Sequence, residues 1–246
     1  MLWLLIFLAG TVAGAQNALA GGGSFVTLGM LVFAGLDPRA ANITSTMALF
    51  PGQAATGYAG RGMTAGAEGV SFRSLFVISL AGGVAGALLL LATPPTFFAG
   101  LVPWLVLFAT AVFFWGSFLR EPPTGKATLR PWTAAAAQFA IAIYGGYFGG
   151  GIGFLMLAVL TVAGLPVRSA SATKNALAVA MNASAVLIFA LSPDVHWRHA
   201  AVLGAGGIAG GLMGVWLLPR ANERLLRLGV IALGIGLTVG LFMRGR

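Results

Sequence analysis

Long apolar runs interrupted by short polar breaks make up most of this sequence, and the runs predict ten helical segments. Several runs reach about 20 residues, enough for an α-helix to cross about 30 Å of hydrocarbon. The second and seventh segments are shorter, at roughly 12 residues or about 18 Å. In chain order the predicted segments are Leu2–Ala18, Phe25–Leu36, Asp37–Ala59, Ser74–Ala92, Thr96–Leu119, Pro131–Tyr147, Phe154–Leu165, Val167–Leu191, Val195–Leu218 and Ala221–Met243.

The polar breaks recur in register, so the chain contains one pattern twice. AGGGSFVTLGMLVFAGLDPRAANITSTMALF begins at Ala20, and each of its residues lies 129 positions before a counterpart in the second copy. Gly22 thus matches Gly151, and Ser45 matches Lys174. The repetition predicts two homologous five-segment halves, residues 1–120 and 131–246, joined by a polar loop at 121–130.

The overall composition places these segments in a membrane. The chain is 59% hydrophobic and only 8% charged, whereas soluble domains carry about 25% charged residues. We therefore predict an all-α integral membrane protein, multi-pass, in the cell (inner) membrane. The lipid bilayer is its expected surrounding, and a homo-oligomer is left open.

The positive charge is interpreted as a topology signal. The net charge is +9, but the basic residues mostly flank apolar runs, where they set orientation and meet anionic lipid; no nucleic-acid partner is expected. Ten spans would put nine basic residues on one side and four on the other, and eight spans would split them eight to five. The larger bias favours ten segments, and because five is odd, the halves would be inverted repeats. Eight spans, as four plus four, stay open as the alternative.

Glycine clusters interrupt the helices at matching places in the two halves. A broken helix in a membrane leaves backbone groups unpaired, which costs several kcal/mol per group unless protein or a water-filled cavity satisfies them. Two matched breaks point to the central site of a transporter, although glycines also allow tight helix packing. We expect Gly22, Gly23, Gly150 and Gly151 to shape a substrate site.

Hydroxyl and amide side chains cluster at the helix starts that follow these breaks. Helix N-termini attract anions because they present free N–H groups and a partial positive charge. Some of these hydroxyls will instead bond to their own helix backbone. The predicted substrate-binding residues of this kind are Asn42, Thr44, Ser45, Thr46, Gln53, Ser171, Thr173, Asn175 and Asn182.

Lys174 is the basic residue that falls inside an apolar run. Ionisable residues within a membrane are costly and suggest function, although lysine can also extend its ammonium to the interface. The five carboxylates fall in predicted loops or at helix ends, so none is an obvious partner: Asp37, Glu68, Glu121, Asp194 and Glu223. A buried cation without a carboxylate favours an anionic ligand, and we add Lys174 to the substrate-binding residues.

The same residues argue against an enzyme. His196 and His199 have the spacing of a metal pair on one helix face, but no further ligand is apparent. We therefore expect no catalytic residues, no metal and no cofactor. Secondary transport of a small anionic substrate by alternating access is the function that remains, with the anion bound between the repeats.

The two glycine stretches resemble a known family. GGGSF…GLDPRAANITST and FGGGIGF…GLPVRSASATKNAL are similar to the sulfite exporter TauE/SafE family of membrane permeases. The resemblance implies transport, in the export direction, of small sulfur-containing anions such as sulfite or organosulfonates. An anion channel, or a carrier for small carboxylates, is the alternative. Ser24 interrupts the usual glycine run of the first copy, and Ser45 replaces Lys174 there, so the site would be asymmetric.

Overall fold

Ten α-helices form the part of the chain that the computed structural model describes, residues 1–19, 22–67, 69–119, 129–217 and 223–244. A π-helical turn, Trp115–Leu119, extends the fifth helix. The helices are α1 (Leu2–Leu19), α2 (Gly23–Phe33), α3 (Pro38–Ala59), α4 (Phe72–Ala92), α5 (Pro95–Phe114), α6 (Pro131–Tyr147), α7 (Ile152–Val162), α8 (Val167–Phe189), α9 (Trp197–Leu217) and α10 (Glu223–Arg244). The predicted all-α fold is confirmed; residues 121–128 of the predicted connecting loop lie outside the described residues.

Glycines in the left-handed conformation begin and end the two short helices. Gly22 and Gly151 precede α2 and α7 with φ of 84° and 75°, a region that other L-residues rarely adopt. Gly35 and Gly164, with φ of 100° and 93°, follow the last turns and close them. Each helix has 11 residues, about 16 Å, and α7 repeats the bounds of α2 at the same 129-residue interval.

The directions of facing helices distinguish ten segments from eight. α3 and α8 are antiparallel, because Gln53 pairs with Asn182 while Gly57, later in α3, packs against Val179, earlier in α8. α5 and α10 are also antiparallel, since the ring of Trp104 contacts that of Phe242 while Ser117 accepts a hydrogen bond from Arg227. Eight alternating spans would make both pairs parallel. Both observed directions are those expected of ten alternating segments.

Each half contributes a helix to the other half's packing. α1 packs along α9 and α6 packs along α4, and in both pairs the helices run parallel. Glycines allow the approach: a Cβ on Gly86 would meet backbone atoms of Ile143, Gly146 and Tyr147. Gly82, one turn earlier, faces Ala142. The small-residue spacing of α4 therefore serves internal helix packing.

The outer surface of the helix bundle is apolar. Leu187 and Leu212 are 72% and 71% exposed, which water would disfavour and lipid accepts. Among the described residues, three helices are long and apolar enough to cross a membrane: Phe72–Ala92, Pro95–Phe118 and Val167–Phe189. Shorter apolar helices, α2 and α7 among them, complete the bundle.

Candidate functional site

The centre of the candidate site is the place where α3 and α8 cross. The Asn182 Nδ2 donates to the Gln53 Oε1 at 2.6 Å. The two positions are counterparts in the repeat, so the bond lies where a pseudo-two-fold axis relating the halves would pass. Two groups of residues flank it, and we call them the first and second half-sites.

The first half-site is a small polar cavity beside the α6–α7 break. Its volume is about 30 Å³. Its polar lining combines Ser24, Asn42, Ser45, Thr46, Gln53 and Asn182, and Phe148 and Gly149 close it. Five of the predicted substrate-binding residues are therefore brought together here.

Hydrogen bonds fix the side chains of the first half-site. The Asn42 Nδ2 donates to the carbonyl of Tyr147, the last residue of α6, at 3.0 Å. The Thr46 hydroxyl donates to the Asn42 carbonyl at 3.0 Å, a bond within its own helix. Ser45 lies 2.6 Å from the Thr27 hydroxyl, which donates in turn to carbonyls at the start of α2. The cavity thus has a rigid polar wall supplied by three helices.

The second half-site lies at the other end of the same break, where α7 begins. Lys174 reaches it from α8, and the Nζ lies 3.8 Å from where a Cβ would stand on Gly153. Among the described residues, no carboxylate lies within 4 Å of the Lys174 Nζ. Ser171 and Asn175 lie on the same helix as Lys174. Ser171 is about one turn before Lys174, and Asn175 is the next residue in the chain. No described residue forms a hydrogen bond with their side chains.

The starts of the two short helices differ in their capping. The Asn17 Oδ1 accepts the Gly23 N–H at 2.8 Å and so satisfies the first N–H group of α2. The repeat counterpart of Asn17 is Gly146, which has no side chain to offer α7. Within the described residues the N–H groups of Ile152 and Gly153 have no acceptor. The positive end of α7 is left open beside the Lys174 ammonium.

Two predicted residues anchor loops instead of lining either half-site. The fully buried Thr44 hydroxyl accepts the His196 N–H at 3.1 Å. Its counterpart Thr173, equally buried, accepts the Ala65 N–H at 2.9 Å and donates to the Ala65 carbonyl at 3.1 Å. Each threonine fixes the loop beyond the facing helix, so its hydroxyl is occupied by backbone.

The predicted glycines shape the breaks in different ways. Gly22 and Gly151 supply the left-handed turns, and the Gly23 N–H is the group that Asn17 caps. A Cβ on Gly150 would meet the ring of Phe148 and, at 3.2 Å, that of Phe25. Gly150 therefore lets two aromatic rings from different halves pack at the break.

An ion pair closes one end of the bundle, away from Lys174. The Arg39 Nη2 and the Asp194 Oδ2 are 2.7 Å apart, and Arg39 also donates to the Thr93 carbonyl at 2.8 Å. An open cavity of about 480 Å³ adjoins the pair, and its other walls are mainly leucine and isoleucine. Arg39 is therefore already neutralised by Asp194.

Arg39→Ala is expected to lower the free energy of unfolding by about 2 to 3 kcal/mol, since it leaves Asp194 unpaired and the Thr93 carbonyl unsatisfied. Asp194→Asn, which keeps a hydrogen-bonding group, is expected to cost about 1 kcal/mol. Thermal unfolding of the purified variants in detergent measures both, with Arg61→Ala, an exposed arginine, as control. Equal midpoints for Arg39→Ala and Arg61→Ala would show that the ion pair does not hold this end closed.

Two residues of the site escape prediction from the sequence pattern. Thr27 and Tyr147 reach it through hydrogen bonds from helices that flank the breaks. Asn17 is detectable from the sequence as a polar residue of the first segment, which could line the same cavity. The Tyr147 carbonyl is a backbone group and leaves no trace in residue type.

Comparisons with known proteins agree on a class. The family model described as "Sulfite exporter TauE/SafE" matches residues 6–242. "Probable membrane transporter protein ORF9" of Sinorhizobium sp. is 28% identical over 96% of this chain and 90% of its own length. A "Probable membrane transporter protein" of Haemophilus influenzae is 25% identical over 95% and 92%, and YfcA of Escherichia coli K12, with the same description, is 26% identical over 91% and 83%. No solved structure matches at a significant level.

Proposed function

Because the chain belongs to the sulfite exporter TauE/SafE family and is a multi-pass membrane transporter, we propose that it carries small sulfur-containing anions such as sulfite or organosulfonates. The anion is bound in the second half-site, by the Lys174 ammonium, the open N–H groups of α7, and the Ser171 and Asn175 side chains. The protein acts as an exporter in the inner membrane and has no enzymatic activity of its own.

One observation carries this proposal: among the described residues, two positive groups lie close together without a counter-charge. The Lys174 Nζ lies near the start of α7, 3.8 Å from where a Cβ would stand on Gly153, and the first N–H groups of α7 have no acceptor among the described residues. Neighbouring positive groups raise the free energy of a low-dielectric site unless an anion lies between them. An oxyanion would accept from both groups and relieve that repulsion.

The proposed mechanism is alternating access around this site. The chain is proposed to consist of two membrane repeats, 1–120 and 131–246, with the loop at 121–130 between them. Inverted repeats of this kind transport by rocking one part against the other around a fixed central site. The α3–α8 crossing at Gln53 and Asn182 supports the location of that centre, since both halves contribute to it equally.

Exchange kinetics test the proposal directly. Proteoliposomes loaded with unlabelled sulfite are expected to take up radiolabelled sulfite faster than empty ones, because a carrier returns through the membrane more readily when loaded. Uptake is expected to saturate and to be inhibited by short organosulfonates. A large current in planar bilayers, without saturation or acceleration by internal substrate, would show that the protein is an anion channel and not a carrier. Inhibition by small carboxylates but not by sulfonates would change the substrate class.

A further inference from the structure

The first half-site presents oxygen lone pairs to its cavity. Thr46 gives its one hydroxyl proton to the Asn42 carbonyl, so its oxygen can act only as an acceptor toward the cavity. The Ser45 and Thr27 hydroxyls lie 2.6 Å apart, and either can be the donor. In both arrangements the Ser45 oxygen keeps at least one lone pair that it can offer to the cavity.

The side-chain amides of Asn42 and Asn182, which line this cavity, also leave their oxygens available as acceptors. The Asn42 Nδ2 donates to the Tyr147 carbonyl, which leaves the Asn42 Oδ1 without a donor among the described residues. The Asn182 Nδ2 is directed to Gln53, so its Oδ1 is also available. An anion in this cavity would meet oxygen lone pairs at Asn42 and Thr46.

The C-terminal end of α6 adds partial negative charge to that of these oxygens. α6 ends at Tyr147, and Phe148 and Gly149, which follow it, line the cavity. The last carbonyls of a helix carry about half a negative charge. Broken helices in transporters bind cations at such C-terminal ends and anions at the N-terminal ends. The α6–α7 break thus offers a negative end to the first half-site and a positive end to the second.

The size of the cavity restricts its ligand. About 30 Å³ is room for one or two water-sized ligands, given the 10–15 Å³ or so that a single water needs. Sulfite or a sulfonate would not fit without movement of the helices. A small monovalent cation with its protein ligands, or one or two waters, would.

Comparison of the two halves supports a positive charge at the first half-site. Ser45 is the counterpart of Lys174, and Ser24 is the counterpart of Gly153, beside which the Lys174 ammonium lies. The second half therefore holds a fixed ammonium at the point where the first half has an oxygen-lined cavity. A bound cation in the first half would occupy the place that the Lys174 ammonium occupies in the second.

We infer that the first half-site binds Na⁺, held by oxygens of Asn42, Ser45 and Thr46 beside the C-terminal end of α6, and that this ion is coupled to anion transport. The inference rests on the proposed function, since it names the coupling ion of the same carrier. Na⁺ at the first half-site and Lys174 at the second place one positive charge on each side of the α3–α8 crossing.

Sodium binding is testable on the purified full-length protein without any sulfur anion. Thermal unfolding in detergent is expected to shift upward with NaCl relative to equal concentrations of KCl or choline chloride, because a ligand of the folded state stabilises it by mass action. Equilibrium binding of ²²Na⁺ is expected to saturate. Equal midpoints in the three salts, together with no saturable ²²Na⁺ binding, would overturn the inference and leave the cavity to water.

Two variants locate the ion. Thr46→Val keeps the shape of the side chain and removes one oxygen, and it is expected to weaken Na⁺ binding by about tenfold, or 1.4 kcal/mol. Ser45→Lys places the ammonium of the second half in the first, and it is expected to abolish Na⁺ binding. Thr56→Val is the matched control, because the exposed Thr56 hydroxyl bonds to the Gln53 carbonyl of its own helix. Wild-type Na⁺ affinity in a folded Thr46→Val would place the ion elsewhere.

Sodium dependence of transport separates this inference from the proposed function. Sulfite flux that requires Lys174 but is equal in NaCl and choline chloride would contradict the coupling and leave the anion carrier standing. Na⁺ binding without any sulfite or sulfonate flux would contradict the proposed substrate while the cation site remained.

Discussion

Replacing Lys174 with alanine is expected to reduce the initial rate of anion uptake at low substrate by roughly 10- to 100-fold. A hydrogen bond to a charged group contributes about 1.5–3 kcal/mol, and each 1.4 kcal/mol is a factor of about ten. The substitution is expected to destabilise mainly the anion-bound protein, because in the anion-free protein no described carboxylate pairs with Lys174. Lys174→Arg is expected to retain a measurable part of the rate, since it keeps the charge but changes the geometry.

Two controls make the Lys174 result specific. Arg73→Ala removes one positive charge at the exposed start of α4, and it is expected to leave uptake near the wild-type rate. Thermal unfolding shows whether Lys174→Ala is folded. Uptake at the wild-type rate by folded Lys174→Ala would return Lys174 to an interfacial role and remove the main support for an anion in the second half-site.

Gly86→Ala is expected to be the most destabilising single methyl addition among the glycines of α4, at about 3 kcal/mol or more. A Cβ there would overlap the backbone of α6 at Ile143, with the Tyr147 nitrogen at 2.8 Å and the Gly146 Cα at 2.9 Å. Backbone atoms cannot turn aside as a side chain can, so the two helices must separate. The measurement is the thermal midpoint and the yield of monodisperse protein in detergent.

Gly100→Ala is the matched control for this substitution. Gly100 lies in α5, and a Cβ there would meet nothing within 4 Å. Alanine is expected to be neutral or stabilising at Gly100, because it restricts the unfolded chain and favours the helix. A Gly86→Ala midpoint equal to that of Gly100→Ala would mean that α4 and α6 do not pack as closely as described.

The sequence predicts the helices well because the solvent is a membrane. An α-helix satisfies its own backbone hydrogen bonds in lipid, so a long continuous apolar run such as Phe72–Ala92 favours a helix. The short helices are found in the predicted places but end earlier, at Phe33 and Val162 rather than at Leu36 and Leu165. The apolar run continues through a glycine turn: Leu36 donates back to the Leu31 carbonyl and Gly35 to that of Val32, which is a Schellman motif.

The sequence indicates which polar residues lie at the glycine breaks, but it does not specify the charge of the ligand that they would bind. The sequence brings Asn42, Ser45 and Lys174 to the glycine breaks, yet a hydroxyl or an amide can serve an anion or a cation. Its role depends on where its protons point, and that is decided by partners far along the chain, such as the Tyr147 carbonyl for Asn42. Residue type alone carries no information about such a partner.

The pairing of α1 with α9 and of α4 with α6 has a consequence for biogenesis. α1 is synthesised well before α9, the helix on which its glycine face packs, which begins only at Trp197. At about 5–20 residues per second, a ribosome needs on the order of ten to forty seconds to reach it. During that interval α1 waits in the bilayer or in the insertion machinery with Gly10 and Gly14 uncovered. Assembly of this protein is therefore completed only after nearly the whole chain has been inserted.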